Sequence, residues 1–472
     1  MAETGKTFIK KVIGFSVVTW ITFALSFISA PISTRLFEPD VMGRINIYST
    51  YSQFFSILVL FGLDQAYARF YNERPNNCTK GYLLTSCFAF TYSLIFIFGL
   101  MAFPMRKAIS SFLFSETDCF TLILVFVNVF CSCTLRYLNL TYRMEQNIRM
   151  YNIQGILMVV AAKLVYIIVG FWNPSYHIVL LASSISHFIL TIVFLLIQRQ
   201  RFDKLTRLDS FFAEQLFKFA IPLIPVTIIS WLNSSIPQLM IQRTMDYYYV
   251  GIFNSAMALA NVIMIVQSGL NSFWVPYTYE NYKTQTGQFF KVYRCMICVL
   301  TILALLLVCF QDVIFLLLGS KYRAAKLFFP FLVLSPICYV IGEVAGVGIN
   351  ISKRTYFNIF VFMASVTVNI VACLLLRISL GVTGIAMATS LAAITAMVVK
   401  TVLGERSYKV ITTYKHMIFS VAIIFSSACV TFWCHHLMLR LIIIGLMLLV
   451  SFFFFRKEAS EILRVMISFI KK

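Results

Sequence analysis

The sequence predicts an all-α integral membrane fold with about fourteen transmembrane helices. The first observation is composition. Of 472 residues, 60% are hydrophobic, 16% aromatic and only 12% charged, about half the charged share of an ordinary soluble domain. A water-soluble chain of this length could not hide so much apolar surface, whereas a bilayer solvates it. The second is spacing. Runs of about 20 apolar residues, enough to cross a bilayer as helix, recur along the chain between short polar clusters. The third is the sidedness of charge.

The apolar runs fall near 12–34, 41–63, 82–103, 118–138, 153–172, 176–197, 216–238, 247–275, 292–318, 327–349, 357–376, 382–403, 413–433 and 437–455. They are long and apolar all round, unlike the short alternating strands of a membrane barrel. Lys10 and Lys11 precede the first run as they would in a signal peptide, but the run is longer than a usual signal core and further spans follow, so it reads as the first transmembrane helix.

Most of the 39 Lys and Arg residues fall on segments that share one side when the N-terminus is cytoplasmic, as the positive-inside rule requires. Examples are Arg69 and Lys80, Arg136 and Arg143, Arg199 and Arg201, Lys400 and Arg406, and Arg456 and Lys457. The formal charge of +21 is therefore topological. It points to a cytoplasmic N- and C-terminus and away from nucleic acid. The 12 cysteines are scattered. Cys131-x-Cys133 and Cys295-x-x-Cys298 lack the further His or Cys that a tetrahedral metal site needs, and read as apolar filler.

The longest polar interruption before the C-terminus, about 198–215, follows the sixth run. Faint echoes cross it. Gly43-Arg44-Ile45-Asn46 matches Gly251-Ile252-Phe253-Asn254, Arg149-x-Tyr151-Asn152-Ile153 resembles Arg354-x-Tyr356-x-Asn358-Ile359, and Ala182-Ser183-Ser184 resembles Ala388-Thr389-Ser390. All lie at an offset of about 206 residues. The sequence thus predicts two parallel six-helix bundles, 1–200 and 201–410, around a central cavity, with two additional helices and a cytoplasmic tail in 411–472. Two similar bundles can rock about a cavity, the geometry of alternating-access transport.

Pro31-x-x-Thr34-Arg35-Leu36-Phe37-x-Pro39-Asp40-x-x-Gly43 closes the first helix and opens the second. Gly62-Leu63-Asp64-Gln65-Ala66-Tyr67-Ala68-Arg69-Phe70-Tyr71 closes the second. With Tyr249-Val250-Gly251-Ile252-Phe253-Asn254-Ser255-Ala256 and Gly381-Val382-Thr383-Gly384-Ile385-Ala386-Met387-Ala388-Thr389, the chain resembles the polysaccharide (oligosaccharide) flippases of the multidrug/oligosaccharidyl-lipid/polysaccharide exporter superfamily. The resemblance implies translocation of an undecaprenyl-diphosphate-linked oligosaccharide, such as an O-antigen unit for lipopolysaccharide, across the bacterial inner membrane. It implies coupling to an ion gradient or membrane potential and no cofactor, and no phosphate-binding Gly-x-x-x-x-Gly-Lys-Ser/Thr loop occurs. Membrane lipid, and polymerase and chain-length proteins of the same pathway, are the partners it implies. In fourteen-span relatives the last helix pair helps form a groove for the polyprenyl tail.

Ionised residues inside spans are costly, so each is a functional candidate. Lys163, in the fifth span, is the first candidate for contact with an anionic headgroup. Asn369 stands at the repeat offset from it in the eleventh. Arg44 at the outer side of the second span and Arg69 at its inner end are further substrate candidates. Asn254 and Asn261, seven apart on one helix face, suit sugar hydroxyls; Asn271 continues this polar stripe. Glu343, in a glycine-rich stretch, and Asp64 are the candidates for ion coupling. Pro222, Pro225 and Pro237 bend the seventh helix. His187 reads as a helix contact.

Two rival classes share parts of this pattern. An integral-membrane glycosyltransferase would use Glu38-Pro39-Asp40 in the first outer loop, but every outer loop is short, and no catalytic or metal-binding residue is expected. A cation-coupled multidrug exporter of the same superfamily would favour acids in its cavity, where this chain offers Lys163 and Arg44.

Overall fold

The computed structural model describes residues 2–73, 78–203, 210–267, 274, 277, 278, 286–409, 411, 413–434 and 436–470. Asn271 and the linker residues 204–209 lie outside them. Every regular element among the described residues is helical. Eleven helices there are long and apolar enough to cross a membrane, or twelve if the bent pair Ser320–Leu327 and Phe329–Ala345 forms one span. The 51-residue helix Phe357–Ser407 is one of the eleven, yet Gly381 breaks it with φ 55° and ψ −133°, so it carries two of the expected runs. The expected second span, Pro39–Leu60, is not among the eleven; Asn46, Ser49, Thr50, Ser52, Gln53 and Ser56 make it the most polar.

The chain forms two compact units, Met1–Trp231 and Leu232–Lys472. The first contains α1 (Ala2–Leu36), α2 (Pro39–Leu60), α3 (Leu63–Phe70), α4 (Lys80–Ala102), α5 (Arg106–Phe114), α6 (Cys119–Met144), α7 (Ile148–Lys163), α8 (Val165–Trp172), α9 (Tyr176–Gln198) and α10 (Ser210–Ala220). Helix α11 (Leu223–Thr244) starts in the first unit and ends in the second. The sequence-predicted bend falls between α10 and α11, at Pro222, while Pro237 stays inside α11.

In lipid, helices gain little from apolar burial, and interhelical hydrogen bonds and close packing hold them together. Helix α6 is the polar spine of the first unit. Tyr48 of α2 donates to the Leu124 carbonyl at 2.9 Å, and the Tyr67 and Thr141 hydroxyls meet at 2.7 Å. From α4, Thr91 bonds Tyr137 and Tyr92 bonds Thr134. From α7 and α9, the Gln154 and Gln198 amides donate to the Leu135 and Leu138 carbonyls at 3.0 and 3.1 Å. Cys131 and Cys133 are buried among these contacts as free thiols, and no cluster of three or more metal-ligating side chains occurs among the described residues.

The second unit contains α12 (Tyr247–Ala260), α13 (Thr286–Cys309), α14 (Gln311–Leu317), α15 (Phe329–Ala345), α16 (Val347–Ile351), α17 (Phe357–Ser407), α18 (Lys415–Trp433), α19 (Leu437–Phe454) and α20 (Arg456–Ile470). Helix α15 is its core and is buried along most of its length. Small residues let α17 approach it: a Cβ on Gly404 would lie 2.8 Å from the Gly346 Cα, and one on Gly348 would lie 2.2 Å from the Gly404 carbonyl oxygen. The glycines around Glu343 therefore serve close helix contact. Ser390 donates to the Phe331 carbonyl at 2.6 Å across the same interface.

Gly348→Ala must push backbone away from backbone, and overpacking of this kind costs about 1–3 kcal/mol. Its thermal unfolding in detergent is expected well below wild type. Gly99→Ala, where nothing lies within 4 Å of the new Cβ, should leave the transition in place. Equal transitions for the two variants would contradict the packing described.

Candidate functional site

Lys163, Arg44, Arg69 and Asp64 belong to the first unit; Asn254, Asn261, Asn369 and Glu343 belong to the second. Each group has its own geometry.

Lys163 is the last residue of α7. The helix loses its regular course at Leu164 and resumes as α8. The side chain is half-buried. Among the described residues no acid pairs with it, and it makes no hydrogen bond. A cation at a helix break inside an apolar span can turn toward an anion without first surrendering a partner.

At the C-terminal end of α2 the chain breaks at two consecutive left-handed residues, Phe61 (φ 50°) and Gly62 (φ 74°). The break directs Asp64 toward α6. Its carboxylate, 5% exposed, accepts from Arg136 Nε at 2.7 Å and Nη2 at 2.5 Å, and from the Gln65 amide at 3.1 Å. The Arg136 side chain remains half exposed. A buried carboxylate thus anchors a guanidinium that still presents part of its surface. Arg69 is elsewhere, in an exposed i,i+4 pair with Glu73 at 2.6 Å. Asp64 and Arg69, neighbours in sequence, thus serve separate ion pairs.

Arg136 is a residue that sequence reasoning counted only among the inner-side cations. Arg136 falls within the expected run 118–138, about 26 Å from the N-terminus of α6 at 1.5 Å per residue, and α6 continues past it to Met144. Its partner lies 72 residues away in sequence, so no local motif marks the pair.

Arg44 sits in a network near the N-terminal end of α2. It donates to Asp40 and to Glu116, both at 2.8 Å, and its guanidinium lies 4.9 Å from the Tyr176 ring centre. Next to it, Asp118 caps α6 and receives His177 at 2.8 Å. The network ties α2, the turn after α5, and α9 together. Arg44 is charge-compensated there, and Asp40 is an ion-pair partner.

In the second unit Glu343 pairs with Lys400 of α17 at 2.6 Å. Asn369 is buried, with its side-chain oxygen beside the Cys373 thiol at 3.3 Å. Asn254 lies in α12, its Nδ2 buried without a hydrogen-bond partner among the described residues. Asn261 is exposed and opens a 3-10 turn, because α12 ends at Ala260. The helical course from Asn254 holds up to Asn261 and tightens only beyond it, so the seven-residue spacing keeps the two on one face. Ser365 joins Asn233 at 2.6 Å and the Ala392 carbonyl at 3.0 Å. His187 bonds the Ser183 carbonyl one turn earlier, a contact within its own helix. At the connection between α18 and α19 a cavity of about 450 Å³ is lined by Val430, Trp433, Cys434, His436, Leu439 and Ile443.

A multi-pass helical membrane protein is the class that this fold defines. Solved structures with the same fold include a lipid II flippase, MurJ, in an inward closed conformation, at a TM-score of 0.70 and 14% identity over 94% of this chain and 99% of that one. They also include the multidrug transporter DinF-BH, at 0.60 and 15% over 86% and 97%, and an inward-facing transporter of a multidrug resistance family, at 0.57 and 13% over 82% and 93%. Residues 32–327 match the polysaccharide biosynthesis protein family, and the chain belongs to that family. No curated sequence matches it.

Removing one partner of a buried ion pair costs more than removing both. Since Asp64 is the buried member, Arg136→Ala is expected to destabilise the protein by up to about 3 kcal/mol, more than Asp64→Asn. The double variant should recover part of the loss. Thermal unfolding of the three variants checks the order, and an Arg136→Ala protein as stable as wild type contradicts it.

Proposed function

We propose that this protein moves an undecaprenyl-diphosphate-linked oligosaccharide from the cytoplasmic to the outer leaflet of the bacterial inner membrane. It does so by alternating access between bundles 1–200 and 201–410, with both termini cytoplasmic. The observation that carries the reading is the pairing of charge. Three acids within or at the ends of spans are neutralised: Asp64 by Arg136, Glu343 by Lys400, and Asp312 by Lys326 and Arg440. Lys163 has no such partner among the described residues. A cavity that handles cationic drugs needs the opposite bias, and a diphosphate headgroup needs this one.

In this reading Lys163 and the exposed part of Arg136 meet the diphosphate, and Arg44 and Arg69 act at the outer and inner ends of the path. Asn254, Asn261 and Asn369 contact sugar hydroxyls. Glu343 and Asp64 are the acids through which an ion gradient couples, by exchanging their paired bases for a proton or a metal cation. The apolar cavity beside α18 and α19, part of the additional helices 411–472, suits a segment of polyprenyl tail. Surface polysaccharide assembly, O-antigen among its products, is the process served.

Complementation of a flippase-deficient strain tests the assignment. At matched membrane levels Lys163→Ala is expected to reduce surface polysaccharide at least tenfold, and Lys163→Arg to retain most of it. Normal display by the Ala variant removes Lys163 from the path. In proteoliposomes with imposed proton and sodium gradients, Glu343→Gln should lose gradient dependence; unchanged dependence would leave Glu343 and Lys400 a purely structural pair.

A further inference from the structure

The last helix, α20, begins one residue after α19. The end of α19 is turned outward, with Phe453 70% exposed, as a lipid-facing span end would be. The start of α20 is therefore level with a bilayer surface.

The charges of α20 are segregated. Its two acids face the bundle. Glu458, 3% exposed, accepts from Arg294 Nη1 of α13 at 3.0 Å and lies 3.4 Å from His416 Nε2 of α18. The rings of Phe290, Phe454 and Phe455 surround His416. Glu461 lies 3.4 Å from Lys291, beside the Cys295 thiol. Both acids are thus neutralised by bases of neighbouring helices. The bases of α20 are exposed instead: Arg456, Lys457 and Arg464, with Leu463 exposed among them. None of the three forms an ion pair among the described residues.

A helix with one face held to a bundle and a cationic face at bilayer level matches one chemistry, a layer of anionic phospholipid headgroups. Each Lys or Arg near such a surface adds about 1 kcal/mol of attraction. We propose that α20 is a lipid-sensing anchor: Arg456, Lys457 and Arg464 bind anionic phospholipid headgroups, while Glu458 and Glu461 fasten the helix to α13 and α18. The site is distinct from the transport path and does not depend on what the protein carries.

Hydrogen exchange of the full-length protein in nanodiscs tests this, without any transport assay. Discs of phosphatidylcholine are compared with discs containing phosphatidylglycerol. Amide protection over 456–464 is expected to rise roughly tenfold or more with the anionic lipid, and 0.5 M salt should abolish the rise. The triple variant Arg456→Gln, Lys457→Gln, Arg464→Gln should lose the rise while keeping its protection in phosphatidylcholine. Glu458→Gln should weaken protection in both lipids and keep the rise. Equal protection of the wild type in the two lipids overturns the proposal, as does a triple variant that still responds. If the triple variant does not fold, the salt response of the wild type decides: a rise that survives 0.5 M salt overturns the proposal. If protection rises instead only on adding an acidic soluble protein or nucleic acid, lipid is the wrong occupant.

Discussion

An ionised group in an apolar medium must be compensated or it will not stay ionised, and the rest of this structure is arranged around that constraint. Asp64 is held by Arg136, Glu343 by Lys400, Glu458 by Arg294, and Arg440 by Asp312. Each pair joins helices distant in sequence. Because a charge left behind by a lost partner is expensive, these pairs specify neighbours as well as stabilising them. Helix α6 shows the neutral version, with tyrosine, threonine and glutamine side chains from five other helices fastened to one post.

The second theme is interruption. Spans break at Phe61–Gly62, at Leu164, at Asn261 and at Gly381. A break frees backbone groups that an unbroken helix would consume, and it re-aims the side chains around it. Asp64 follows the first break, Lys163 precedes the second and Asn261 opens the third. Polar chemistry and helix geometry therefore coincide, although each break has a different local cause. Gly62 also packs so closely on α10 that a Cβ would come within 2.8 Å of the Ala220 carbonyl oxygen.

Much of this was readable in the chain. Apolar run length predicted the helical membrane fold, because a bilayer imposes one length on every span. Lys163 stood out because nothing nearby is charged. What could not be read is long-range pairing. Arg136 looked like an ordinary inner-side cation, since its partner Asp64 lies far away in sequence. Arg44 looked available because Glu116 is remote. Glu343 looked like a lone acid because Lys400 is remote too. The seven-residue spacing of Asn254 and Asn261 held, but the change of helix type just beyond Asn261 left no mark in the sequence. Local periodicity records what each helix does; partners are a property of packing.

Gly381 joins two membrane-length helices through a single backbone reversal, with no loop between them. A Cβ on Gly384 would lie only 2.3 Å from the Leu376 carbonyl oxygen, so the two arms are seated against each other at the hinge. Mechanically the pair is a stiff hairpin spring. Its arms cannot slide past one another along their length, and any tilt of one is handed to the other at that end. There is no slack in the connection to absorb displacement, and Ser365, bonded to the Ala392 carbonyl, ties the two arms together again away from the glycine.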